Sequence, residues 1–217
     1  FRTLTSRRLR RNGSQFVDDR PMKRAIFLDR DGVINPMCLN PDHGTVDSPA
    51  NPDQFNILPG VTDTICRFRE MGFAVVVISN QPGVAKGKMV PDLLNEITEK
   101  MKRLLYHSGA ELDGIYYCLH HPDALLPEYR ELCECRKPKP GLLLRAAEEL
   151  EIDLKSSFMI GDGLTDVLAG QSVGCRTVWL GNLKCEICRE MDKHRVRPDF
   201  VADNLPDSLK FIEPDEG

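Results

Sequence analysis

No stretch of this 217-residue chain is long and apolar enough to suggest a transmembrane helix. The longest strongly apolar run, Phe73-Ala74-Val75-Val76-Val77-Ile78, falls far short of the ~20 residues such a helix needs. The N-terminal residues lack the apolar core of a secretory signal. No internal repeat and no low-complexity tract is present, and tryptophan occurs once, as Trp179, expected in the core. Charge of one sign is also scarce where a nucleic-acid binder would need it. Residues 1–24 carry eight Lys/Arg against Asp18 and Asp19, so the other residues must hold −10 to bring the chain to its net −4. An acidic body argues against nucleic acid as the main partner. Met22-Lys23 stands just ahead of the first strand-like run and would make a natural start. Residues 1–21 are therefore read as a basic extension, disordered or loosely packed, with no assigned function, and residues 22–217 as one domain. Eight cysteines remain (38, 66, 118, 133, 135, 175, 185 and 188). Without a secretory signal they are expected as reduced thiols in the cytoplasm, where cysteine pairs more often bind metal or do chemistry than form disulfides.

What is present is alternation. Apolar runs bounded by turn residues predict strands near 25–29, 73–79, 114–118, 157–161, 176–180 and 199–201. Helices are expected near 60–72, 90–107, 140–151, 164–173 and 205–211; the second opens with Pro91-Asp92, the proline and acid that a helix N-terminus favours. Such alternation predicts an α/β fold with a parallel sheet covered on both faces. Two stretches break the rhythm: a Pro/Asn/Asp/Gly-rich flap at 33–58, and residues 119–139 within a Cys/His loop at 118–139. Irregular segments of this length are usually functional or disordered.

Chemistry gathers at the predicted strand ends. The first strand runs into Asp29-Arg30-Asp31-Gly32, where two carboxylates two positions apart can face the same way if the chain stays extended. Ligands of open parallel sheets bind beyond such strand ends, although an acidic turn capping the strand reads equally well from this segment alone. The second strand ends in Ser79-Asn80-Gln81-Pro82-Gly83, a hydroxyl and an amide suited to an oxyanion. Lys137, between Arg136 and Pro138, is a point charge for a phosphate or a buried carboxylate. The fourth strand ends in Gly161-Asp162, and Asp166 follows four residues on. Asp162 is placed to join Asp29 on a hard cation such as magnesium. Cys118-Leu119-His120 and Cys133-Glu134-Cys135 offer three thiols and an imidazole, enough for a closed tetrahedral zinc site, with His121 an adjacent competitor for the imidazole position. Cys185-Glu186-Ile187-Cys188, near His194, reads as ordinary cysteines on a helical turn.

The order of strand-DxD, strand-Ser-Asn, Lys and strand-Gly-Asp-x₃-Asp, from Ala25 to Asp166, resembles the haloacid dehalogenase-like (HAD-like) phosphatase superfamily. The resemblance implies a three-layer α/β/α Rossmann-like sheet and aspartyl-phosphate catalysis. Asp29 would be the nucleophile and Asp31 the general acid, then base. Ser79 and Lys137 would hold the phosphoryl group. Mg2+ would be bound by Asp29, the Asp31 backbone carbonyl and Asp162. The run from Asp113 through Cys118 and on to Cys135-Arg136-Lys137-Pro138 is similar to the minimal-cap branch that contains heptose bisphosphate and histidinol-phosphate phosphatases. That similarity selects His120 beside Cys118, Cys133 and Cys135 as ligands of a structural Zn2+. It assigns substrate contacts to His43, Gly44, Asn80 and Arg136, with Arg136 on the second phosphate or hydroxyls. The partner it implies is a small sugar phosphate, met by a cytoplasmic monomer that binds neither nucleic acid nor membrane.

Overall fold

Six of the strands lie side by side in one parallel sheet. The structure, a computed structural model, describes residues 9–12, 15–18, 22–40, 44–183 and 185–212. In chain order the strands are β1 (Leu9–Asn12), β2 (Gln15–Asp18), β3 (Arg24–Leu28), β4 (Cys38–Asn40), β5 (Thr45–Asp47), β6 (Phe73–Asn80), β7 (Gly114–Cys118), β8 (Phe158–Gly161), β9 (Arg176–Leu180) and β10 (Phe200–Ala202). The helices are α1 (Val61–Glu70), α2 (Pro91–His107), α3 (Gly141–Leu150), α4 (Leu164–Ser172), α5 (Cys185–His194) and α6 (Leu205–Ser208). The sheet order is β10-β9-β8-β3-β6-β7. Every predicted strand and helix is there, with ends shifted by a few residues. The Cys185–His194 segment, expected only as a turn, is a full helix.

The sheet is buried on both faces because its strands alternate side chains between two apolar layers. Ile26, Leu28, Val75, Val77 and Ile160 face one layer, packed by Ile65 and Phe68 of α1, Ile97 and Met101 of α2 and Leu205 of α6. Ala25, Phe27, Val76, Ile78 and Met159 face the other, packed by Leu142, Leu143 and Ala146 of α3 and Ala169 of α4. The three-layer α/β/α arrangement is thus the expected one. Trp179 is in the core as expected, with Val167, Met191 and Val196. Each such side chain is worth about 1.5–3 kcal/mol of transfer free energy when fully buried.

β3 sits centrally, and the chain winds from it in two directions: through β6 to β7, then back to β8 and on to β10. The order reverses beside β3, so the strand ends there open a crevice. The flap fills one side of it with the small antiparallel pair β4–β5. β1 and β2 form a separate two-stranded antiparallel pair inside the basic extension; most of that extension lies outside the described residues. Among the described residues no helix is long and apolar enough to cross a membrane.

Candidate active site

The crevice collects four acids and two cations from the end of β3, the loop before α3, the end of β8 and the first turn of α4. Asp29 follows β3, and its backbone N–H donates to the Ile160 carbonyl at 3.0 Å, which ties it to β8. Asp162 follows β8. Asp29, Asp162 and Asp166 each offer an oxygen within 4.8 Å of the others. A left-handed Gly32, with φ of 83°, gives Asp162 its room: a methyl group there would overlap the Asp162 carboxylate. Gly161 does the same for Asp166. Burial and then the Asp29 charge push the Asp162 carboxyl up to about 6. Asp166, fully buried, is likewise raised to about 7, mainly by burial, which the Lys137 ammonium only partly offsets. The cluster is short of positive charge, the condition in which a divalent cation binds.

Lys137 is the cation already in place. It is 3 % exposed. Its ammonium lies 2.5 Å from Asp166 Oδ1 and 3.1 Å from Asp29 Oδ1, and donates to the Ile78 carbonyl at 2.8 Å. Burial works against its charge, but Asp166 and Asp29 outweigh that and raise its pKa. Its backbone is fixed by Asn80, whose Nδ2 donates to the Lys137 carbonyl and whose Oδ1 accepts from the Lys137 N–H, both at 3.0 Å. Asn80, expected to contact substrate, is therefore engaged at both ends of its amide in holding Lys137.

Asp31 is buried in a socket of donors. Arg30 Nε and Nη2 reach Oδ1 at 3.1 and 3.0 Å, Asn35 Nδ2 reaches Oδ1 at 2.9 Å, and Ser48 Oγ and Gln81 Nε2 each reach Oδ2 at 2.7 Å. Burial would raise this carboxyl, but the Arg30 charge and the three other donors hold it below the usual carboxylate range. These donors hold Asp31 as an ionised acceptor. Ser79 Oγ, buried at the end of β6, accepts from Gln81 Nε2 at 3.1 Å. Arg30, Asn35, Ser48 and Gln81 were not singled out from the sequence. Gln81 carries a signal in retrospect, since two positions after Ser79 it falls on the same side of an extended chain. Ser48 carries none, because only the folding of the flap brings it to Asp31.

The second cluster lies beside the first. Cys135 Sγ is 3.2 Å from both Cys118 Sγ and Cys133 Sγ, those two are 3.6 Å apart, and His120 Nδ1 is 3.3 Å from Cys135 Sγ. Three thiols and an imidazole nitrogen thus converge on one point, the donor set of a closed tetrahedral site. The other ring nitrogen, Nε2, is 3.5 Å from a Glu131 carboxylate oxygen, the kind of outer partner that orients a metal-binding imidazole. Burial works to raise the Cys133 thiol, but bonds from Cys135, Cys118 and nearby backbone bring it down to about 7. Burial raises Cys118 against a bond from Cys135, and burial with both neighbouring sulfurs raises Cys135. His120 rather than His121 joins the thiols; His121 Nδ1 instead accepts from the Asp123 N–H at 3.1 Å. Arg136 follows directly and donates to the His120 carbonyl at 3.3 Å. Of the expected substrate contacts on the flap, His43 lies outside the described residues, and Gly44 is exposed at the β4–β5 turn with φ of 61°.

A family profile described as HAD-hydrolase-like matches residues 134–208. A D-glycero-beta-D-manno-heptose-1,7-bisphosphate 7-phosphatase of Yersinia pestis is 40 % identical over 189 residues, covering 87 % of this chain and 95 % of the relative. Its counterpart in Escherichia coli is 41 % identical, covering 87 % and 93 %. Among solved structures, the D,D-heptose 1,7-bisphosphate phosphatase of B. bronchiseptica, complexed with magnesium and phosphate, superposes with a TM-score of 0.69 at 30 % identity, over 87 % of this chain and 97 % of that one.

Proposed function

Because the chain belongs to the HAD-like heptose bisphosphate phosphatases, we propose that it is a phosphoric monoester hydrolase that removes the 7-phosphate of D-glycero-beta-D-manno-heptose 1,7-bisphosphate. The observation that carries the reading is the buried Lys137 ammonium, held between Asp29 and Asp166 at the mouth of the sheet. It puts a fixed positive charge beside Asp29, whose carboxylate is partly open to solvent.

In the proposed sequence an Asp29 oxygen attacks phosphorus, and the bond to the sugar oxygen breaks. The leaving oxygen takes a proton from Asp31, which must first gain one; the approach of a phosphate dianion favours that, since added negative charge raises a nearby carboxyl. A water then attacks the aspartyl phosphate and gives its proton to Asp31. The bond to Asp29 breaks and inorganic phosphate leaves. Splitting the displacement in two lowers each barrier. Ser79 and Lys137 bear on the equatorial oxygens, where fixed donors stabilise developing charge. Asp29, Asp162 and the Asp31 backbone carbonyl are the residues proposed to hold Mg2+, which would neutralise phosphoryl charge when bound. Cys118, His120, Cys133 and Cys135 are proposed to hold a structural Zn2+, which would keep the loop carrying Arg136 and Lys137 in shape. Arg136, His43 and Gly44 are proposed at the rim, with Arg136 on the second phosphate. The reading carries with it a monomer in the cytoplasm acting on a dissolved sugar phosphate, not on nucleic acid or membrane.

Phosphate release from both heptose 1,7-bisphosphate anomers and from histidinol phosphate, with Mg2+ and with zinc content measured, tests this. Preference for the beta heptose anomer is expected, and preference for histidinol phosphate overturns the substrate. Asp29→Asn is expected to lower kcat on the order of 10⁴–10⁶-fold; retained activity sinks the mechanism.

A further inference from the structure

Two of the residues that seat Asp31, Arg30 and Gln81, have no role in the sequence above. Arg30 is fully buried and Gln81 is 1 % exposed, and the guanidinium of Arg30 lies over the Tyr117 ring. Arg30 Nη2 donates to Gln81 Oε1 at 2.8 Å while its Nε and Nη2 hold Asp31. Gln81 Nε2 donates at 2.7 Å to Asp31 Oδ2 and at 3.1 Å to Ser79 Oγ. The Gln81 backbone N–H donates to the Cys118 carbonyl at 2.7 Å, so its position is anchored to the start of the thiol cluster.

The chemistry of the three groups allows only one arrangement. A guanidinium can only donate, and an ionised carboxylate can only accept. Gln81 must then turn its oxygen to Arg30 and its two N–H bonds to Asp31 and Ser79. A hydroxyl has a single hydrogen. With Ser79 Oγ receiving a hydrogen from Gln81, its own hydrogen points away from Gln81, and among the described residues no acceptor takes it. The hydroxyl is set as a donor for an incoming phosphoryl oxygen.

We infer that Arg30 and Gln81 are positioning residues for phosphoryl transfer: Arg30 fixes the direction of the Gln81 amide, which seats the Asp31 carboxylate and aims the Ser79 hydroxyl at the phosphoryl group. The inference rests on the phosphatase reading above. One amide thereby couples the group that moves the proton to a group that steadies the phosphate.

The two jobs respond differently to the leaving group. A sugar alkoxide needs a proton to depart, whereas p-nitrophenolate leaves without one. Wild type, Gln81→Met and Arg30→Lys are compared on heptose 1,7-bisphosphate and p-nitrophenyl phosphate at saturating Mg2+, with thermal melts alongside. Gln81→Met is expected to lower the single-turnover rate of leaving-group release by ~10²–10³-fold on the heptose ester and by only ~10-fold on the aryl ester, since only the sugar oxygen needs the Asp31 proton in that step, whereas hydrolysis of the aspartyl phosphate is common to both. KM is expected to change by less than about 3-fold, since the lost interactions act in the transition state. Arg30→Lys keeps the charge but not the two-pronged geometry, and is expected to reproduce the ester-selective loss. Wild-type rates in both variants, or equal losses in leaving-group release on the two esters, overturn the inference. Wild-type failure on both esters overturns the phosphatase reading and this one together. A wild type active on the aryl ester alone overturns only the heptose substrate, and the ~10-fold loss through Ser79 must then still appear on that ester.

Discussion

At the N-terminal end of the sheet, the residue just ahead of a strand reaches sideways to a backbone N–H of the neighbouring strand. Asp113 Oδ2 takes the Val75 N–H at 2.8 Å, Ser157 Oγ takes that of Ala25 at 2.9 Å, and Asp199 Oδ2 takes that of Thr177 at 2.6 Å. At the C-terminal end, the residues just past β3 and β8 do the opposite. Asp29 and Asp162 come together, and burial and then the Asp29 charge raise Asp162 to about 6. Aspartates thus complete the sheet's hydrogen bonding at one end and crowd their charges together at the other. A parallel sheet is held together at the end where its polar groups are matched one for one, and does chemistry where they are not.

Three experiments press on that contrast. Lys137→Met removes the cation buried between Asp29 and Asp166. It is expected to lower kcat by ~10²–10³-fold, the scale of losing a charge aimed at the transition state. Because it leaves Asp166 buried without its partner, it is also expected to cost about 3–5 kcal/mol in a denaturant melt. A variant of normal stability would show that the C-terminal end is better compensated than it looks.

Next in size is pH. Asp162, raised to about 6, gains its proton as pH falls through that value. Mg2+ affinity, followed by titration calorimetry, is expected to weaken below pH 6, approaching ~10-fold per unit. In metal-free protein the sign reverses. The native state binds this proton more tightly than the unfolded chain, so the group's own contribution to stability increases as pH falls from about 6 toward the ordinary carboxylate value. Affinity that stays flat from pH 7 to 5 would remove Asp162 from the metal site.

The smallest effect on turnover is expected at the other end of the same strand. Ser157→Ala orphans the buried Ala25 N–H of β3 and is expected to cost about 1–3 kcal/mol of stability with kcat unchanged. A change in kcat would mean that the two ends of β3 are not independent.

The sheet was legible in the sequence because its signal is local. Runs such as Phe73–Ile78 are apolar without interruption, as strands buried on both faces must be. Asp29, Lys137, Asp162 and the Cys/His set were legible because each sits at a strand end or in a tight pair. What surrounds Asp31 was not. Arg30 looks like a solvated charge until burial shows it is fully enclosed. Ser48 is seventeen residues from Asp31, across an irregular flap with no periodicity to fix its position. Asn80 looks like a ligand group, and only the tertiary approach of the Lys137 loop reveals what its amide holds.

Gly32 and Gly161 extend this to how such a site can drift. At both positions the added carbon that every other amino acid carries would occupy the volume of a carboxylate, Asp162 in one case and Asp166 in the other. A carbon added at Gly44, on the exposed flap, would meet no such neighbour. No single substitution at the two glycines leaves the acids where they are. Lineages of this chain are therefore free to explore new esters at the periphery while two points of empty space confine the reaction itself.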